Sequence, residues 1–240
     1  MSDLLRKTKK ALSLLGTPRY RRALSTGSAA AIEHRALASL DPALVVDVGA
    51  NKGQFTLLAL EIFPKARIVA FEPLREAGAR FARAIGVEPR VRLVAAALGL
   101  VTGEADMHVS GRDDCSSLLD IAGLQELVPD AAMVGTEKVR IGRLEDFLDA
   151  GEIVGPALLK IDVQGFELQV LQGCGDWLKR FAWVYVELSF CELYAGQALA
   201  DPVIRHLLDA GFAFAAVYNL SCDAHGRPLQ ADILFTRHSV

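Results

Sequence analysis

The sequence predicts an α/β protein, a doubly wound Rossmann-like parallel sheet with a helical N-terminal extension. Three observations carry that reading. Residues 44–49 are a continuous apolar run that ends in a turn, as a strand buried on both faces should be. Helical spacing over 53–63 and 74–85 alternates with strand-like runs at 67–72 and 91–97, the β-α-β-α-β order of a parallel sheet with right-handed crossovers. The composition, 52% hydrophobic and 23% charged over 240 residues, is that of a globular chain able to bury a core without a disulfide or metal staple.

The remaining elements follow in order. Residues 1–40 have helical spacing, broken at Gly16-Thr17-Pro18, with a second helical stretch over 26–40. We therefore divide the chain into a basic extension, 1–40, and a main domain, 41–240. Short strands at 104–110 and 137–142 flank an irregular section that should cover a cleft. A helix over 144–150, a strand over 157–162, a helix over 167–173 and a strand over 183–188 come next. Asp201 as N-cap and Pro202 at the first position open a further helix. Strands at 212–218 and 232–236 flank a hairpin-like loop, 223–226.

The chain carries 26 basic and 29 acidic residues, a formal charge of −3, which gives no electrostatic case for nucleic acid binding. The charge is uneven: residues 1–35 hold eight basic side chains against two acidic ones. This amphipathic segment reads as a lid or homodimer element packed on the main domain, as a weak contact of residues 1–25 with anionic membrane, or as a solvated face. Cys115, Cys174, Cys191 and Cys222 show no CxxC or zinc spacing and read as reduced thiols of a cytoplasmic protein. No secretory signal and no run of membrane-spanning length is visible.

In an open α/β sheet, ligands bind at the C-terminal ends of the strands near the switch point. The first strand ends in Asp47-Val48-Gly49-Ala50-Asn51-Lys52-Gly53, a turn that lets backbone approach a ligand closely. The second ends in Phe71-Glu72-Pro73, and an acid there accepts hydrogen bonds from both hydroxyls of a ribose. Asn51 stands where a GxGxxG fingerprint needs glycine, and Asp47 adds negative charge, so a cationic ligand fits better than a diphosphate. S-adenosylmethionine is a sulfonium cation with no phosphate.

The sequence resembles the FkbM family of S-adenosylmethionine-dependent methyltransferases. The resemblance rests on VVDVGANKGQF (45–55), AFEP (70–73), AAALG (95–99), SSL (116–118), LLKIDVQGFELQVLQG (158–173), VYVELSFCELY (184–194) and QADILF (230–235). It implies a class I methyltransferase sheet of seven strands, the last antiparallel. It implies that Gly49 and its neighbours Asp47, Ala50, Asn51 and Phe55 surround the methionine part of the cofactor. Glu72 would hold the ribose, with Pro73 beside it as a contact or a plain strand terminator, and residues 96–98, including Ala97 and Leu98, would lie near the adenine. It also implies a hydroxyl acceptor, on a sugar, a glycan intermediate or a glycosylated natural product.

Asp162 and Glu187 end adjacent strands and should reach the cleft as catalytic groups. They would hold a divalent cation such as magnesium, as metal-binding acids do in catechol-type methyltransferases, serve as a general base, or fix the acceptor by hydrogen bonds. Glu187 has a structural alternative, a buried ion pair with Lys160; Glu167 reads as stabilising a helix N-terminus. Asp113, Ser116 and Ser117 lie in the covering section, and Ser116, Ser117 and Tyr194 are candidate substrate contacts. Trp183 and Tyr185 read as sheet core. His34 is a candidate base, against a surface or interhelix role. The rival functions are an NAD-dependent nucleotide-sugar oxidoreductase and a non-catalytic module that retains the fold.

Overall fold

A computed structural model describes residues 17–112 and 114–237. The helix expected over the first sixteen residues and Asp113 lie outside them. In chain order the elements are α1 (Pro18–Ser25), β1 (Leu44–Val48), α2 (Gln54–Ile62), β2 (Arg67–Phe71), α3 (Arg75–Ile85), β3 (Val91–Val94), β4 (Ala97–Leu98) and β5 (Gly103–Ser110). There follow α4 (Leu124–Leu127), β6 (Met133–Gly142), β7 (Ala157–Ile161), α5 (Glu167–Gly173), β8 (Trp183–Ser189), α6 (Ala200–Asp209), β9 (Phe212–Cys222) and β10 (Pro228–Arg237).

Seven strands form one sheet in the order β3-β2-β1-β7-β8-β10-β9. β1 runs parallel to β2 and β7, and β7 to β8, whereas β10 is antiparallel to both its neighbours. The order reverses at β1, which places the switch point between β1 and β7. β4, β6 and β5 form a separate three-stranded sheet.

Pleating gives the sheet two buried faces. Val46, Val48, Leu159, Ile161, Val184 and Val186 pack on one side with residues of α5 and α6. Val45, Ile68, Leu158, Tyr185 and Leu234 pack on the other with α2, α3 and the N-terminal segment. Both faces are apolar, so the strands read as continuous hydrophobic runs rather than as alternating ones.

The N-terminal segment departs from the expected pattern. Thr17, expected as part of a helix break, caps a helix by accepting the Tyr20 N–H at 3.2 Å, with Pro18 at its first position. Residues 26–31 are not helical, and Ile32–Ser39 is a 3-10 helix. Tyr20, Ala23 and Leu37 are buried against the sheet domain. Arg19 pairs with Glu88 at 2.7 Å, and the Arg22 guanidinium bonds the Ile85 carbonyl at the end of α3. Two of the basic side chains thus face the protein itself.

Three further elements differ. The third strand stops at Val94, and Ala97–Leu98 pairs in the smaller sheet. The helix expected over 144–150 is two 3-10 turns, Leu144–Asp146 and Ala150–Glu152. Helix α6 starts at Ala200, so Leu199, not Asp201, is its N-cap. Among the described residues no helix is long and apolar enough to cross a membrane.

Gly49 is indispensable to this packing. Its φ is +76°, and a Cβ there would lie 1.8 Å from the Asp162 carbonyl oxygen. Gly49→Ala must force β1 and β7 apart, and urea denaturation should show a loss on the order of 3 kcal/mol.

Candidate active site

The strand ends at the switch point open into a cavity of about 660 Å³, well within the range of small-molecule sites. Gly49, Ala50, Asn51 and Phe55 line it from β1 and α2; Glu72 and Pro73 line it after β2, and Ala97 and Leu98 from β4. Asp162 and Glu187 line it after β7 and from β8, and Ser116 from the covering section. These expected site residues are therefore brought to one wall-to-wall cavity.

Glu72 is the fixed point of its cofactor side. The Asn51 N–H donates to its Oε2 and the Leu74 N–H to its Oε1, both at 2.8 Å. Burial pushes its carboxyl up to about 7, with those two backbone donors holding the shift in check. The carboxylate has lone pairs left for two hydroxyl donors. Phe71, Leu74 and Leu98 give an apolar wall beside it. The acids along the cavity and the missing phosphate cradle suit a cationic nucleoside, so the residues present fit S-adenosylmethionine.

Asp47, Ser117 and Tyr194 are placed elsewhere, and the expectations for them are corrected. Asp47 is fully buried, because the pleat turns it, like Val45, toward α2. Its Oδ2 accepts from Thr56 Oγ1 at 2.7 Å and its Oδ1 lies 3.2 Å from Lys160 Nζ. Ser117 is sealed under the cover and donates to the Gln164 carbonyl at 2.6 Å. The Tyr194 ring is also sealed; its hydroxyl bonds the Cys115 carbonyl at 3.1 Å and Gln164 Oε1 at 2.8 Å. Both hold the 163–165 loop from behind and touch no ligand space.

Lys160 does not pair with Glu187. Its ammonium lies 3.2 Å from Asp47, 3.7 Å from Asp162 and 3.2 Å from the Gly49 carbonyl. Burial works against its charge, but Asp47 and Asp162 outweigh burial and hold it above the usual lysine range. Glu187 meets two amides instead: Gln164 Nε2 at 3.1 Å and Gln230 Nε2 at 2.9 Å. Burial, with Asp162 and Asp232 nearby, pushes its carboxyl well above the ordinary range.

Gln164 also donates to Asp162 Oδ1 at 2.8 Å. Its amide NH2 therefore sits between the two acids expected to share a cation. Its Oε1 takes the Tyr194 hydroxyl, which fixes the orientation of the amide. A donor group at the bridging position does not fit a divalent ion. Among the described residues no cluster of three or more histidine, cysteine or acidic side chains is arranged to hold a metal. Glu167 accepts from the Val163 and Gly165 N–H groups at 3.2 and 3.0 Å, so it braces the loop rather than the helix dipole.

Sequence reasoning missed Gln164, Gln230, Asn219 and Asp232, all of which line the cavity, and left His34 between a base and a surface or interhelix role; it too lines the cavity. Gln164 has φ +57°, an uncommon conformation that no spacing rule reveals. Asp232 stands opposite Glu187 in the β8–β10 register, a relation that exists only once the strands are paired. Tyr185 is core by burial, yet its hydroxyl reaches His34 at 2.8 Å.

Sheet order and strand-end chemistry together define a class I S-adenosylmethionine-dependent methyltransferase. A family model, the methyltransferase FkbM domain, matches residues 47–214. The 2-O-methyltransferase NoeI of Sinorhizobium fredii (strain NBRC 101917 / NGR234) is 31% identical over 175 residues, covering 68% of this chain and 72% of that protein. Methyltransferase 1 of Beauveria bassiana (strain ARSEF 2860) is 26% identical over 149 residues, covering 57% of this chain and 60% of that protein. The structure of Aeropyrum pernix fibrillarin with S-adenosyl-L-methionine aligns with 90% of this chain and 76% of its own, at 11% identity and a TM-score of 0.47. The chain belongs to the FkbM methyltransferase family, which sets aside the nicotinamide-dependent alternative.

Two outcomes are expected. Ribose hydroxyls would donate to the ionised form of Glu72, whose carboxyl burial pushes up to about 7, so affinity for S-adenosylhomocysteine should rise between pH 6 and 8. Calorimetry on Glu72→Gln should show weaker binding with that dependence flattened. Lys160→Met leaves Asp47 buried and unpaired, and should cost about 3–5 kcal/mol of stability in urea denaturation.

Proposed function

We propose that the protein transfers the methyl group of S-adenosylmethionine to a hydroxyl of a sugar, a glycan intermediate or a glycosylated natural product. The observation that carries this reading is the lining of the cavity beyond Gly49. Asp162, Glu187, Asp232, Gln164, Gln230 and Asn219 converge there. Carboxylates and amides in that density recognise a polyhydroxylated, uncharged acceptor. Two of the cations that line the cavity are engaged by acids: Lys160 by Asp47 and Asp162, and Arg112 by Asp114 through two contacts of 3.0 Å. That pairing disfavours a phosphorylated acceptor. The name of the Sinorhizobium relative, a 2-O-methyltransferase, points to the same bond.

The bound cofactor supplies an electrophilic methyl on a sulfonium. Glu72 holds the ribose hydroxyls, and Phe71, Leu74 and Leu98 give the adenine an apolar wall. Gly49 lets the backbone approach the amino-acid part. Asp162, at the acceptor end of the cavity, accepts from a neighbouring hydroxyl of the acceptor and so aims the reacting oxygen at the methyl. Gln164 fixes Asp162 and Glu187 in one frame, so the acceptor meets preset polar groups. Such positioning is able to supply several kcal/mol of the barrier.

The test is turnover with neutral glycan and glycoside acceptors, followed as S-adenosylhomocysteine release and methyl-ether formation. Asp162→Asn should bind S-adenosylhomocysteine as the wild type does, with kcat lowered about 100-fold or more. Full turnover by that variant would remove Asp162 from the reaction.

A further inference from the structure

His34 and Asp232 both lie outside residues 47–214, the span that the family model matches. They meet over the face of the sheet that carries Tyr185 and Leu234. We propose that His34 is the general base of methyl transfer and that Asp232 is its positioning residue. The inference rests on the O-methylation reading and names the group that takes the hydroxyl proton.

Three polar groups converge on one ring nitrogen. His34 Nδ1 lies 2.8 Å from the Tyr185 hydroxyl, 3.2 Å from Asn219 Nδ2 and 3.4 Å from Asp232 Oδ2. Asn219 Nδ2 also donates to Asp232 Oδ2 at 2.7 Å, which aims that carboxylate at the ring. The other nitrogen, Nε2, has no hydrogen-bond partner among the described residues and is not sealed from solvent. His34 itself lines the cavity. The Tyr185 hydroxyl donates to Asp232 and so accepts the Nδ1–H, while Asn219 Nδ2, a donor only, serves Asp232; this relay favours the Nδ1–H tautomer and leaves the Nε2 lone pair open to the cavity.

The ring is also held in place. Phe55 and Tyr185 meet it edge to face, at centroid distances of 5.7 and 5.6 Å. Asp162 and Glu187 are otherwise occupied: Asp162 by Gln164 and Lys160, Glu187 by Gln164 and Gln230. Those neighbours hold the two acids in place to orient the acceptor, and His34 Nε2 presents a lone pair at the cavity.

The step balances. The hydroxyl O–H bond breaks toward Nε2 as the oxygen bonds the methyl carbon, and the S–C electron pair stays on sulfur. The imidazolium so formed is opposed by the Asp232 carboxylate, and its proton passes to water when products leave.

Several charged or titratable groups surround the ring. Asp232 faces it from β10 and Tyr185 from β8; behind them stand Glu187 of β8, beside Asp232, and Tyr218 of β9, against the Tyr185 ring. Lys160 of β7 stands across the Phe55 ring, 5.6 Å from its centroid. Glu61 of α2 is paired with Arg35 at 2.8 Å, and Glu33 is on the segment of His34 itself.

The test has two independent readouts on the full chain. Imidazole nitrogen NMR of the S-adenosylhomocysteine-bound protein should find the Nδ1–H tautomer at His34, and Asp232→Asn should shift it toward Nε2–H. His34→Gln should lower kcat about 100-fold or more and abolish the acid limb of the kcat–pH profile. Its affinity for S-adenosylhomocysteine should match the wild type, which also reports that it folds; His34→Asn is the second variant if it does not. An Nε2–H tautomer in the wild type, or a His34→Gln enzyme that keeps both rate and acid limb, overturns the role of His34 alone. A wild type that methylates only a nitrogen or carbon acceptor overturns the O-methylation reading and the base role with it.

Discussion

The ends of β1 and β7 touch, and the cleft is built on that contact. Gly49 has no Cβ, so its backbone lies against the Asp162 carbonyl. Lys160 then ties the two strand ends from within, bonded to the Gly49 carbonyl and set between Asp47 and Asp162. An unpaired ammonium at that depth would cost several kcal/mol, so the two acids are as necessary as the lysine. The arrangement fixes the distance between the cofactor loop and the first acceptor-side acid. A small error there would misalign a displacement that requires three atoms in line.

The sheet does more than support loops. Asp47, Lys160, Tyr185, Glu187 and Asp232 project from one face, that of Val45, Leu158 and Leu234. Toward the C-terminal end of β7 and β8 this face changes from apolar to polar. Thr56 of α2 and His34 of the N-terminal segment cover the polar row. A buried polar row persists only when its members satisfy one another. Here amides do much of that work, through Gln164, Gln230 and Asn219. Gln164 links the cover to the sheet as well, because Ser117 and Tyr194 bond it from above.

This gives the N-terminal segment a defined place. Its described residues pack Tyr20, Ala23 and Leu37 into the domain and carry His34 to the edge of the cavity. The segment is part of the cavity wall, together with the covering section, the last hairpin, β1, β2 and the loops after them.

The order of elements was legible in the sequence because each has a local cause. Fully buried parallel strands read as apolar runs, glycine and proline mark the turns, and the quoted motifs sit at strand ends. Those local rules also placed Gly49, Glu72, Asp162 and Glu187 at one end of the sheet. They failed where neighbours in space decide. Nothing in the spacing distinguishes Asp47, which faces α2, from Glu72, which faces the cavity; the pleat and the β1–β7 register decide that. Ser117 lies in the covering section and Tyr194 after β8, and only packing shows that both brace the 163–165 loop from behind. Pairing of Asp232 with Glu187 and of His34 with both Tyr185 and Asp232 joins residues distant in sequence. The sequence by itself determined which chemistry the chain carries and at which strand ends. Tertiary structure decided which of those side chains face the ligand and which pair with one another, because burial and register are properties of the assembled sheet and of no single segment.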